Sequence, residues 1–161
     1  MKHFYTNFFN FDPMPEITEA EARASEYFFE HDTETPNIFS LYHDGKITEY
    51  VYRGYSDPTL AIADLVSRSR TVPARVVTLP VTNPDGAHGW REWQVSPEGK
   101  IESIVDQAFR SAGGYSRITF LNLDGTPRGH VDYIYSDEDV LIELVHHDGD
   151  GNVTMTEEVD P

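Results

Sequence analysis

SPEGKIESIVDQAFRSAGG, Ser96 to Gly114, is the stretch whose reading decides the fold. Ile101, Ile104, Val105, Ala108 and Phe109 fall at i, i+3, i+4, i+7 and i+8, the template of one helix face. The strand alternative places Ile101, Val105 and Phe109 on one face, mixed with Ser103 and Gln107. Ser96-Pro97 starts a helix well and Gly113-Gly114 stops one. The spacing therefore predicts an amphipathic helix over Pro97 to Ser111, with all five apolar residues turned inward.

Downstream the pattern changes to a meander. Arg117 to Leu123, Gly129 to Tyr135, Val140 to His147 and Asn152 to Val159 read as strands. Asp124-Gly125, Ser136-Asp137-Glu138-Asp139 and Asp148-Gly149-Asp150-Gly151 separate them, and such short connections favour antiparallel neighbours. Upstream, Gly89 to Val95 alternates as a strand, and the Val-rich run Ala74 to Val81 reads as a strand covered on both faces. Ser56-Asp57-Pro58 opens a helix through Leu60, Ala61, Ile62, Ala63, Leu65 and Val66. Arg68 and Arg70 suit its C-terminal dipole. Ile38 to His43 and Ile47 to Gly54 flank Asp44-Gly45, a hairpin signal. Thr18 with Glu21 has the spacing of a capping box, and Ile17, Ala20, Ala24, Tyr27, Phe28 and His31 continue it as a helical stripe up to Pro36.

Together these elements predict an α+β fold in one domain over residues 1–161. Its antiparallel sheet would have about six to eight strands, including the C-terminal meander, packed by two or three helices. Leu41 to Asp57 and Leu121 to Asp137 share an Asp-Gly turn, aromatic alternation and a closing Tyr-Ser-Asp. Asp-Gly turns and Tyr-rich strands recur in antiparallel proteins, so chance accounts for this better than duplication.

The 161 residues are 39% hydrophobic and 12% aromatic, too apolar for a disordered chain. Twelve basic against 28 acidic residues give a net charge of −16. That sum opposes direct binding to a phosphate backbone or an anionic membrane. The absence of cysteine removes disulfides and thiolate metal sites. The opening MKHFYTNFFNFDP lacks an uninterrupted secretory core, because Asn7, Asn10 and Asp12 break up its aromatics. It is expected to supply an aromatic first strand of a cytoplasmic protein.

Chemistry-bearing motifs are few. G-x-S-x-G, GxGxxG, GxxxxGK[ST] and HExxH are absent. HDGDGN, His147 to Asn152, superficially resembles a calcium loop. Counting from Asp148, however, position six is Val153 and position twelve Val159, where Gly and Glu are needed. His130 and Asp132 share a strand face, and His146 could lie opposite on the next strand. These three form the best metal or acid–base triad the sequence offers, and sheet-surface histidine is the favoured reading. No catalytic residue, metal ligand or cofactor is assigned.

Charge distribution says more. Residues 132–161 hold ten acids and no Lys or Arg, with Tyr133 and Tyr135 among them. Carboxylates steer encounter with a basic protein, and aromatics supply desolvated contact area. Partner-binding residues are therefore expected at Asp132, Tyr133, Tyr135, Asp137, Glu138, Asp139, Asp148 and Asp150. The exposed face of Val131, Tyr133 and Tyr135 against His130, Asp132 and Ile134 stays undecided.

In general character the chain resembles small bacterial immunity proteins, which are single-domain, cytosolic, often acidic and free of a catalytic constellation. The closing HHDGDGNVTMTEEV also looks like the Tyr-Asp repeat hairpins of large secreted toxin proteins. The resemblance implies a non-enzymatic module, a monomer or weak dimer, that binds and blocks the active site of a basic toxin domain. Two alternatives stand beside it. One is a small enzyme or ligand-binding domain with a pocket lined by His130, Asp132 and His146; the other is an acidic nucleic-acid mimic.

Overall fold

In the computed structural model residues 1–6, 16–35 and 37–159 are described. They form thirteen strands and two short helices, which corrects the expected α+β sheet of six to eight strands packed by two or three helices. The chain divides into two compact units, Met1–Val77 with Gln94–Lys100 and Thr78–Trp93 with Ile101–Pro161. No helix among the described residues is long and apolar enough to cross a membrane.

The first unit contains β1 (Lys2–Tyr5), β2 (Glu16–Ile17), α1 (Glu19–Ala24), β3 (Tyr27–Asp32), β4 (Ile38–His43), β5 (Lys46–Arg53), α2 (Thr59–Ser67) and β6 (Ala74–Val77). Its strands lie in the order β6-β5-β4-β3-β1-β2. The aromatic first strand is β1; the remaining aromatics of the opening segment lie outside the described residues. At α1 the capping box forms as expected: Thr18 Oγ1 accepts from Glu21 N, and the Glu21 carboxylate accepts from Thr18 N. The helix ends at Ala24, however, and the rest of its stripe becomes β3. Aromatic side chains stabilise a strand through cross-strand pairing, and here Phe28 stacks on Tyr42 of β4 at 4.7 Å. Phe4, Ala22 and Phe28 form a buried cluster against Ile17 and Tyr42.

The Asp44-Gly45 turn joins β4 and β5, and both residues adopt positive φ, 48° and 72°. That matches the twist of the flanking strands. β5 and β6 pair in parallel, with α2 in the crossover between them. Asp57 Oδ1 accepts from Thr59 N at the start of α2, while Ala61 and Leu65 are buried. The side chain of Tyr52, also fully buried, donates from its hydroxyl to Asp64 Oδ2 at 2.8 Å.

The second unit contains β7 (Val81–Thr82), most of β8 (His88–Val95), β9 (Ile101–Phe109), β10 (Tyr115–Leu121), β11 (Pro127–Tyr135), β12 (Leu141–Asp148) and β13 (Val153–Glu158). The order is β8-β9-β10-β11-β12-β13, with β7 on β8, and the four expected meander strands are β10 to β13.

The expected helix over Pro97 to Ser111 does not exist. Ser96 to Lys100 form a tight turn, with Gly99 N donating to Ser96 O, and β9 follows it. A second turn spans Arg110 to Gly114, where Gly113 N donates to Arg110 O. Strand geometry sends Ile104 and Ala108 to one face and Ile101, Val105 and Phe109 to the other. Ile104 and Phe109 are both buried although they face opposite ways. Both faces of β9 mix apolar and polar side chains, Glu102 and Asp106 beside Ile104, Ser103 and Gln107 beside Val105, so no period of two shows and the apolar residues mimic helical spacing.

The two similar Asp-Gly segments both build hairpins, but their turns differ. In the second, Gly125 N donates to Asn122 O and Asn122 N to Thr126 O, a longer connection than the two-residue Asp44-Gly45 turn.

Candidate functional site

The meander presents its polar groups on alternating faces. In β11, His130 and Asp132 share one face, while Val131, Tyr133 and Tyr135 take the other. On the first face Arg117 of β10 pairs with Asp132 directly opposite. Arg117 Nε lies 2.6 Å from Oδ1 and Nη2 3.0 Å from Oδ2, a bidentate fork. Burial works against the Asp132 charge, but Arg117 outweighs it and holds the carboxyl below its ordinary range.

Across the β11–β12 pair His130 stands opposite His147, and the rings stack at 4.2 Å. Asp132 Oδ2 lies 3.3 Å from His147 Nε2 and 3.6 Å from His130 Nε2. One ligand atom from each of the three residues lies within 4.8 Å of the other two. Burial, Arg117 and His147 together push the His130 imidazole below its ordinary value, against the pull of Asp132.

His147 is oriented from behind. Its Nδ1 lies 3.1 Å from the carbonyl oxygen of Gly151. A carbonyl only accepts, so Nδ1 is the donor in this contact, and Nε2 is the atom turned toward Asp132. The turn that places Gly151 is fixed by Asp148, whose Oδ1 accepts from Asp150 N at 3.0 Å and Asn152 N at 2.9 Å. Gly129, beside His130, is needed for this close pairing: a Cβ there would sit 2.5 Å from the His147 carbonyl oxygen.

The sequence pointed to His146 as the third member of this cluster, and the register replaces it with His147. At the turn end Tyr135 pairs with Leu141, a register that would carry His130 opposite His146. A bulge at Ile134/Tyr135 inserts Ile142 and shifts the pairing by one residue. His146 instead pairs with Val131 on the opposite face, 3.3 Å from Glu157.

The eight expected partner-binding residues separate into groups. Asp132 belongs to the histidine cluster. Tyr133 is half-buried on the other face, tilted against Tyr115 at 5.4 Å. Tyr135 is half-buried under the Arg110 guanidinium, which lies 3.8 Å above its ring. Asp137, Glu138 and Asp139 occupy the exposed turn between β11 and β12, where Asp139 also pairs with Arg110. Asp148 and Asp150 lie in the turn at the far end of β12, roughly 25 Å away along its eight residues. The Asn152 side chain and the turn amides hold the Asp148 carboxyl below its ordinary range.

Searches against family models, curated proteins and solved structures found no match to this chain.

Proposed function

We propose that this chain is a non-enzymatic, acidic protein-binding module that docks a basic partner through β12, β13 and their flanking turns. The observation that carries the reading is the last hairpin. All six residues of β13 are exposed, and among the described residues it borders only β12. No Lys or Arg follows Arg128 in the sequence, so this open edge lies in a strongly negative field. An open strand edge offers unpaired backbone groups to a partner, and the carboxylates select one of opposite charge. The half-buried Tyr133 and Tyr135 serve packing in this reading, and the contact area comes from the edge strand. A bacterial immunity protein that covers the basic active-site region of a toxin, in the cytoplasm, has this character.

The test is association kinetics with a basic protein recovered by pull-down from native lysate. The association rate is expected to fall steeply as salt rises through 0.1 M, where the Debye length is about 10 Å. Asp137→Lys, Glu138→Lys and Asp150→Lys together are expected to slow association by about tenfold or more at low salt. Asp139 is left intact because it pairs with Arg110 at positive φ. A salt-independent rate that the triple reversal leaves unchanged would remove the docking reading.

A further inference from the structure

We propose that His130, Asp132 and His147 form a binding site for a divalent transition-metal ion, with zinc the best-fitting cation. Two imidazole nitrogens and one carboxylate oxygen are the donor set that borderline ions such as zinc prefer. With metal–ligand bonds of about 2.0–2.2 Å, tetrahedral coordination needs donors roughly 3.3–3.6 Å apart. The separations from Asp132 Oδ2 to the two Nε2 atoms are 3.3 and 3.6 Å. The third side of the triangle is closed by turning one imidazole out of the stack, since the rings now lie nearly parallel, 9° apart, with one donor atom of each residue within 4.8 Å of the others.

The contacts behind the donors support the same reading. Nδ1 of His147 lies 3.1 Å from the Gly151 carbonyl oxygen, which leaves Nε2 turned toward Asp132 Oδ2 at 3.3 Å. The backbone carbonyl behind His147 and the Arg117 fork behind Asp132 are the outer contacts that fix metal ligands in orientation. Oδ2 retains a free lone pair, since a carboxylate offers about four acceptor sites. The Arg117 charge opposes a dication and moderates the affinity, favouring reversible binding. Three protein ligands leave a fourth position for water or a donor from an incoming molecule. The ligand side chains, 16–22% exposed, leave the site open to solvent.

Calorimetric titration of the full chain with zinc chloride at neutral pH tests the site. One zinc is expected to bind there. His130→Ala, His147→Ala and Asp132→Asn are each expected to weaken it by about tenfold or more. His146→Ala, one residue away on the opposite face, is expected to leave it unchanged. Should the alanine variants fail to fold by circular dichroism, the near-isosteric Asp132→Asn carries the test. The site is overturned if zinc does not bind by about 1 mM. Equal binding in Asp132→Asn or His147→Ala overturns it too.

Discussion

Replacing Tyr52 with alanine is expected to cost the first unit about 3–5 kcal/mol, the range for deleting a large buried aromatic side chain. Tyr52 is fully buried near the C-terminal end of β5, between the β4 and β6 neighbours, and its hydroxyl reaches across to α2. Burial and the hydrogen bond to Asp64 push the phenol well above its ordinary value, so it stays a neutral donor. Tyr52→Phe separates packing from hydrogen bonding. It keeps the ring and removes only the hydroxyl, for about 1 kcal/mol, because Asp64 retains Arg68 at 2.6 Å. Urea unfolding is the measurement. With a slope of about 2 kcal/mol/M, the alanine midpoint should fall by roughly 2 M and the phenylalanine midpoint by about a quarter of that. Similar midpoints for both variants would mean that the hydroxyl, not the ring, supports the unit.

Phe109→Ala is expected to be as damaging to the second unit. Phe109 lies within 4.4 Å of Trp90, 4.4 Å of Tyr115 and 5.2 Å of His88, ring centre to ring centre. Tyr115 continues to Tyr133, so an aromatic ladder runs across β8, β9, β10 and β11. Deleting its central ring removes apolar burial worth about 3–5 kcal/mol, including ring pairs worth about 0.5–1.5 kcal/mol each. Phe109→Leu keeps most of the volume and should recover more than half of the loss. The near-ultraviolet circular dichroism of Trp90 should collapse in the alanine variant at denaturant concentrations where the parent is folded. An unchanged spectrum and midpoint would show that the ladder contributes little to stability. The ladder also bears on Tyr133, whose truncation should lower stability and not only affinity for a partner.

Local signals were legible wherever a few neighbouring residues determine the conformation. The Thr18–Glu21 capping box and the Asp44-Gly45 turn appear where the sequence places them; the second helix also starts just after Asp57, but with Pro58 as its N-cap and no side-chain cap. The four meander strands also appear where the sequence places them, because turn residues bound them. The exposed acidic turns follow from composition alone.

Two decisions belonged to the tertiary structure. Both faces of β9 mix apolar and polar residues, which hides a period of two, so Ile101 to Phe109 reads as a helix until its strand partners are known. The histidine cluster depended on a single inserted residue. Ile142 at the β11–β12 bulge carries His147, not His146, to the face of His130 and Asp132. A period of two makes every face assignment reverse with a one-residue shift, and a bulge is set by cross-strand packing that the local sequence does not encode. The sequence by itself determined the turns, the helix starts and the acidity of the closing hairpin. Only the pairing of strands decided which residues meet, because facing side chains come from segments whose register is settled between them.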